Sequence, residues 1–83
     1  MNGFIVSALD KKGNSSYFIS NTSPILWTED GDKAKVFKSY SNTICELEDN
    51  FISLIGTINY TNVISIIISE YVDSIEVRRY KFL

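Results

Sequence analysis

A single cysteine, Cys45, in a chain of 83 residues decides much of what this sequence can become. No internal disulfide can close, and a thiolate zinc site lacks ligands. A domain this small must therefore stand on its apolar core alone. The composition supplies one, with 45% apolar and 13% aromatic residues. Disordered chains are poor in aromatic and β-branched side chains, and this one is rich in both. We expect one domain over residues 1–83.

The same inventory narrows the chemistry. Histidine is absent, which removes the commonest general base and metal ligand. Neither a Ser-His-Asp nor a Cys-His nucleophile can be assembled within the chain. Glu29, Asp30 and Asp32 offer hard oxygens for a divalent cation, but the run lacks the spacing and downstream Glu of a calcium loop. Helix capping explains these acids more simply. We expect no cofactor, no metal and no enzymatic activity. The opening Met1-Asn2-Gly3-Phe4 has no basic stretch and leads into a short apolar run broken by Ser7, so we expect no secretory leader. No apolar run exceeds three residues, Ile66-Ile67-Ile68 being one, so no membrane span is expected. The expected setting is a reducing cytoplasm.

Residues 4–10 alternate, with Phe4, Val6 and Ala8 on one face and Ile5, Ser7 and Leu9 on the other. Asp10-Lys11-Lys12-Gly13-Asn14 is turn chemistry, and residues 17–20 resume the extended pattern, so the two runs read as an antiparallel hairpin. Asn21-Thr22-Ser23-Pro24 reads as a loop. Residues 27–37 read as a short helix capped by Thr28 or Asp30, with Trp27, Ala34 and Phe37 packed on the hairpin. A second helix carries Ile44, Leu47, Phe51, Leu54 and Ile55 at helical spacing. It is capped through the Thr43 to Glu46 box, or by Ser41, and closed by Gly56. In it Cys45 reads as a small buried hydrophobe.

Residues 63–72 are ambiguous. Their β-branched composition suits a strand, while Ile64, Ile67, Ile68, Tyr71, Val72 and Ile75 fall on one helical face; we read them as helix, with strand as the alternative. Residues 75–82 alternate as a strand. The predicted fold is α+β: a small antiparallel sheet of three to four strands with one or two helices packed on one face.

The charge distribution says more than the net −2. That small negative balance argues against direct nucleic-acid binding. From Ser39 to Val77 there is no Lys or Arg, and there are six acids. A negative field there suits a basic partner, and we take Glu46, Asp49, Glu70, Asp73 and Glu76 as candidate partner-binding residues. Glu48, projecting between Phe51, Ile52 and Cys45, is the one carboxylate whose position could raise its pKa for acid–base work; a stem on the core edge with its head in water is the simpler reading. Arg78, Arg79 and Lys81 alternate with Tyr80 and Phe82, and read as a charged edge strand that resists aggregation.

Tyr17-Phe18-Ile19-Ser20, Trp27-Thr28-Glu29-Asp30 and Lys33-Ala34-Lys35-Val36-Phe37-Lys38-Ser39 together resemble a pattern in small accessory proteins of bacteriophages and prophages. There, a hairpin ends in a Tyr-Leu-Ser-like strand, and a Trp-Thr-x-Asp…Lys-Ala-x-x-Phe turn-helix follows. The resemblance covers about half the chain and carries no shared activity. It implies a host-takeover factor, of which anti-CRISPR inhibitors are one kind. The expected function is thus a non-enzymatic inhibitor or modulator of a bacterial protein with a basic surface, a CRISPR nuclease being the most concrete version, acting as monomer or homodimer. The alternatives are a carboxylate-based ligand-binding or enzymatic domain around Glu48, and an oligomer-forming phage structural component with an exposed Ile-rich segment.

Overall fold

Two-residue alternation organises the chain, and it does so in more segments than the sequence suggests. The structure, a computed structural model, describes residues 1–20 and 25–83; the loop predicted at 21–24 lies outside them. Among the described residues five strands form one antiparallel sheet: β1 (Gly3–Asp10), β2 (Ser15–Ser20), β3 (Leu26–Thr28), β4 (Val63–Val72) and β5 (Ile75–Lys81). Their order is β3-β2-β1-β4-β5, so β1 and β4 are both central. Two helices, α1 (Tyr40–Asp49) and α2 (Phe51–Tyr60), cover one face. The α+β class with helices on one face is as predicted, with five strands in place of three to four.

The β1–β2 hairpin forms as read. The Asp10 carboxylate accepts the N–H groups of Lys12 and Asn14, both at 2.9 Å. Gly13 takes φ +86°, which a glycine tolerates at no steric cost.

Residues 27–37 are not a helix. Trp27 lies in β3, opposite Phe18. Only Gly31–Lys33 coils, as one 3₁₀ turn capped by the Asp30 carboxylate, which accepts Asp32 N–H at 3.0 Å. Ala34 is already extended. The reason is non-local: Phe37 and Phe4 exchange both backbone hydrogen bonds at 2.8 Å, and Lys35 N–H donates to Phe18 C=O at 2.9 Å. Those partners satisfy the backbone that a helix would have satisfied internally. Gly3 permits the contact. A Cβ there would lie 2.5 Å from Phe37 O and 2.6 Å from Val36 Cγ1.

The second predicted helix is two helices. Ser39, and neither Thr43 nor Ser41, caps α1: its Oγ accepts Asn42 N–H at 3.1 Å. Thr43 is fully buried and donates to Ser39 C=O at 2.8 Å. Asn50 breaks the run with φ −114° and ψ 19°, and its Nδ2 donates to Glu46 C=O at 2.8 Å. Gly56 lies inside α2 and does not end it.

Residues 63–72 are a strand. Six of these ten residues are Val or Ile, which suit a pleated surface. Periodicity could not decide the matter, because the deciding partners are distant. β4 pairs with β1 from Gly3↔Tyr71 to Asp10↔Val63, and with β5 on its other side. Ile66 and Ile68 point to the helices and join Val6, Ala8, Phe18, Phe37, Leu47 and Leu54 in the core. Ser65, Ile67 and Ser69 point to the opposite face, which neither α1 nor α2 covers, although Ser65 and Ser69 are themselves buried there. Within the Ile-rich segment Ile66 and Ile68 are buried, while Ile64 and Val72 are exposed.

Candidate functional site

The β4–β5 hairpin is where exposed apolar side chains, carboxylates and an open sheet edge come together. It closes through Asp73 and Ser74, both left-handed at φ 52° and 64°, the conformation that two-residue hairpin turns require. The turn is braced from outside: Asp73 N–H donates to Asn2 Oδ1 at 2.6 Å, and Ser74 N–H to Met1 C=O at 2.8 Å. A β-bulge follows, since Glu70 faces Arg78 while Tyr71 faces Glu76, leaving Val77 unmatched. Val72, Ile75 and Val77 are 45%, 66% and 50% exposed. Among the described residues no strand neighbours the outer edge of β5, so its outward N–H and C=O groups are open to pairing.

Glu76 and Arg79 form a two-pronged ion pair on the uncovered face, at 3.0 and 3.1 Å. The Arg79 hydrogen bonds, with a further one from Ser69, hold the Glu76 carboxyl below its ordinary value. The same contact raises Arg79. Burial, with Glu76 and Tyr17 nearby, pushes the Tyr71 phenol up. Tyr17 and Tyr71 border a cavity of about 460 Å³ on this face, floored by Ile5 and rimmed by Val36 and Asp32.

The five predicted partner-binding residues do not make one patch. Glu46 and Asp49 lie on α1, beside a groove of about 410 Å³ that also holds Lys35, Lys38 and Cys45. Glu46 is bound by Lys35 Nζ at 3.1 Å. Glu70, opposite Arg78, lies on the helix-covered side of the sheet, and Glu76 on the other. Asp73 sits at the hairpin tip. The negative field expected from the run of six acids is therefore cut by Lys35, Arg78 and Arg79, all from outside that run. Glu48 is exposed and lines none of the described cavities.

Cys45 is exposed, not buried. Trp27 is half-buried and meets Phe18 edge-on at 6.0 Å; Phe18, not Trp27, touches Phe37, at 5.9 Å. Tyr80 packs at 5.0 Å from Tyr40, and Phe82 at 6.3 Å from Phe51, so the aromatics of the basic ending face inward. Among the described residues, no group of three or more acidic or cysteine side chains is placed to hold a metal. No helix among them is long and apolar enough to cross a membrane. Sequence reasoning missed Ile75 and Val77 as surface residues. The basic ending reads as an edge strand, which β5 is, but the bulge that leaves Val77 unmatched depends on pairing with β4 and carries no local signal.

Comparison with known proteins finds no matching family model, no similar curated protein and no similar solved structure.

Proposed function

We propose that the chain is a non-enzymatic protein-binding module that engages a partner along the outer edge of β5. The observation that supports this is the edge itself: a seven-residue strand, exposed at every position but Tyr80, that carries Ile75 and Val77 outside the core. A partner strand added there gains main-chain hydrogen bonds and alternate side-chain contacts. Arg79 is held by Glu76, and Arg78 and Lys81 oppose pairing with a second β5, so the strand a different protein adds at this edge is itself neutral or acidic, and the basic part of that protein's surface meets the chain away from them. The carboxylates of Asp49 and Asp73, which form no ion pair among the described residues, add attraction for a basic surface. In line with the phage resemblance, the partner is a bacterial host protein with a basic surface, and inhibition of a CRISPR nuclease is the concrete form.

The test is capture from bacterial lysate by the wild-type chain beside Val77→Pro, which blocks the edge, and the fivefold amide variant of Glu46, Asp49, Glu70, Asp73 and Glu76. A specific partner is retained by the wild type, lost by Val77→Pro, and bound more slowly and with less salt dependence by the amide variant. Equal capture by all three would refute the proposal.

A further inference from the structure

Helix α2 has apolar side chains on both sides, and only one side is covered. Leu54 is fully buried, and Ile58 packs against the core. At 100° per residue the opposite stripe is Ile52, Ile55, Gly56 and Asn59, spaced i, i+3, i+4, i+7, with Tyr60 at its margin. Ile52 is 88% exposed and Tyr60 89%. No charged residue occurs anywhere from Asn50 to Ser69. A surface helix of a lone globular domain normally carries charge on its outer face. This one has the pattern of a helix that is buried on both sides.

We propose that the outer face of α2 is a homodimer interface, in which α2 packs against α2 of a second copy about a two-fold axis. Three observations select a second copy as the occupant. The stripe is neutral, so self-association brings no like charges together, and a charged partner would find no complement on it. The spacing of Ile52, Ile55, Gly56 and Asn59 is the one that lets two helices interlock. A Cβ built on Gly56 would meet nothing within 4 Å, so the backbone is open to close approach by another helix. Antiparallel packing centred near Ile55 and Gly56 sets the acidic end of each copy, Glu48 and Asp49, against the neutral Asn59–Tyr60 end of the other. Ile52, Ile55 at 36% exposed, and Tyr60 together present on the order of 450 Å² of side chain, within the range of a monomer's largest apolar patch. A stable interface takes ~800 Å² per partner, so the dimer this face forms is a weak one, populated toward the upper end of the concentration range. The interface is distinct from the β5 edge, and the inference does not rest on the function proposed for that edge.

Sedimentation velocity of the purified chain, from micromolar to millimolar concentration and at low and high salt, tests it. The expected result is a reversible dimer whose affinity does not fall with salt. Ile52→Lys should weaken dimerisation at least roughly tenfold, or ~1.4 kcal/mol, with the far-UV spectrum unchanged, while Val77→Lys should leave it intact. As a second route, Cys45→Ser combined with Ile55→Cys should oxidise to a disulfide-linked dimer, because Ile55 lies beside the axis. A monomer at every concentration would overturn the inference and leave the face to a foreign partner or to a further segment of chain. So would a dimer that survives Ile52→Lys but is lost in Val77→Lys.

Discussion

The guanidinium of Arg79 grips the carboxylate of Glu76 from three residues along the same strand, Nε to Oε1 at 3.0 Å and Nη2 to Oε2 at 3.1 Å. The spacing spans a bulge, which brings both side chains to the uncovered face. The Arg79 hydrogen bonds lower the Glu76 pKa in the folded chain. A lowered carboxyl stabilises the fold at and above the pH where an unfolded glutamate ionises, and that contribution disappears as pH falls through the folded pKa. Side-chain NMR titration should therefore give Glu76 a midpoint below that of an ordinary glutamate, and Arg79→Met should move it upward. The pair is open to solvent, so the same variant should change the urea midpoint only slightly.

The two helices are held by one buried leucine each. Leu47 and Leu54 are both fully buried in the core. Truncating either to alanine should cost about 2–5 kcal/mol, on the scale of the whole stability of a domain this small, ~5 kcal/mol. Urea unfolding followed by circular dichroism should show each variant largely unfolded, or nearly so, without denaturant.

Gly3→Ala should be disproportionately damaging for the addition of one methyl. The position combines φ +146° with would-be contacts of 2.5 and 2.6 Å, so relief requires the Phe4–Phe37 bridge to separate. A loss of about 1–3 kcal/mol is expected from the backbone conformation alone. Loss of slow amide exchange at Phe4 and Phe37, ahead of the rest of the sheet, would locate the damage.

Cys45 is exposed on α1. A thiol reagent should modify it stoichiometrically in the native protein, at a rate that denaturant raises little. Slow reaction that accelerates on unfolding would contradict its placement.

Trp27 is half-buried against Phe18. Its fluorescence should lie between that of free indole and that of a sequestered ring, with partial quenching by iodide. Phe18→Leu should shift the emission toward free indole, since Phe18 supplies the edge-on contact.

What could be read from the sequence follows the range of the interactions involved. β1, β2 and β5 announce themselves through alternation, which needs only neighbours. The Asp30 cap was visible for the same reason, yet the coil it opens stops within one turn, because Phe37 finds Phe4 more than thirty residues earlier. Residues 63–72 carry both periods at once, and only their position between β1 and β5 chooses the strand. The acids were countable, but Glu46 reaching Lys35, eleven residues away, and Glu70 standing opposite Arg78 depend on the folded backbone. The uncharged run through α2 was equally countable, but its exposure was not.

The strand order also sets a clock on the making of this protein. β1 acquires its β2 neighbour as soon as the first hairpin is synthesised, but its other side must wait for β4, after both helices. At ~5–20 residues per second, translating the intervening fifty or so residues takes roughly 3–10 seconds. For that interval Ile5 and Val6 belong to a strand with one bare side on the ribosome. The nascent chain is open to mispairing and to chaperones until β4 arrives, and a message that stalls before β4 yields a hairpin without a sheet.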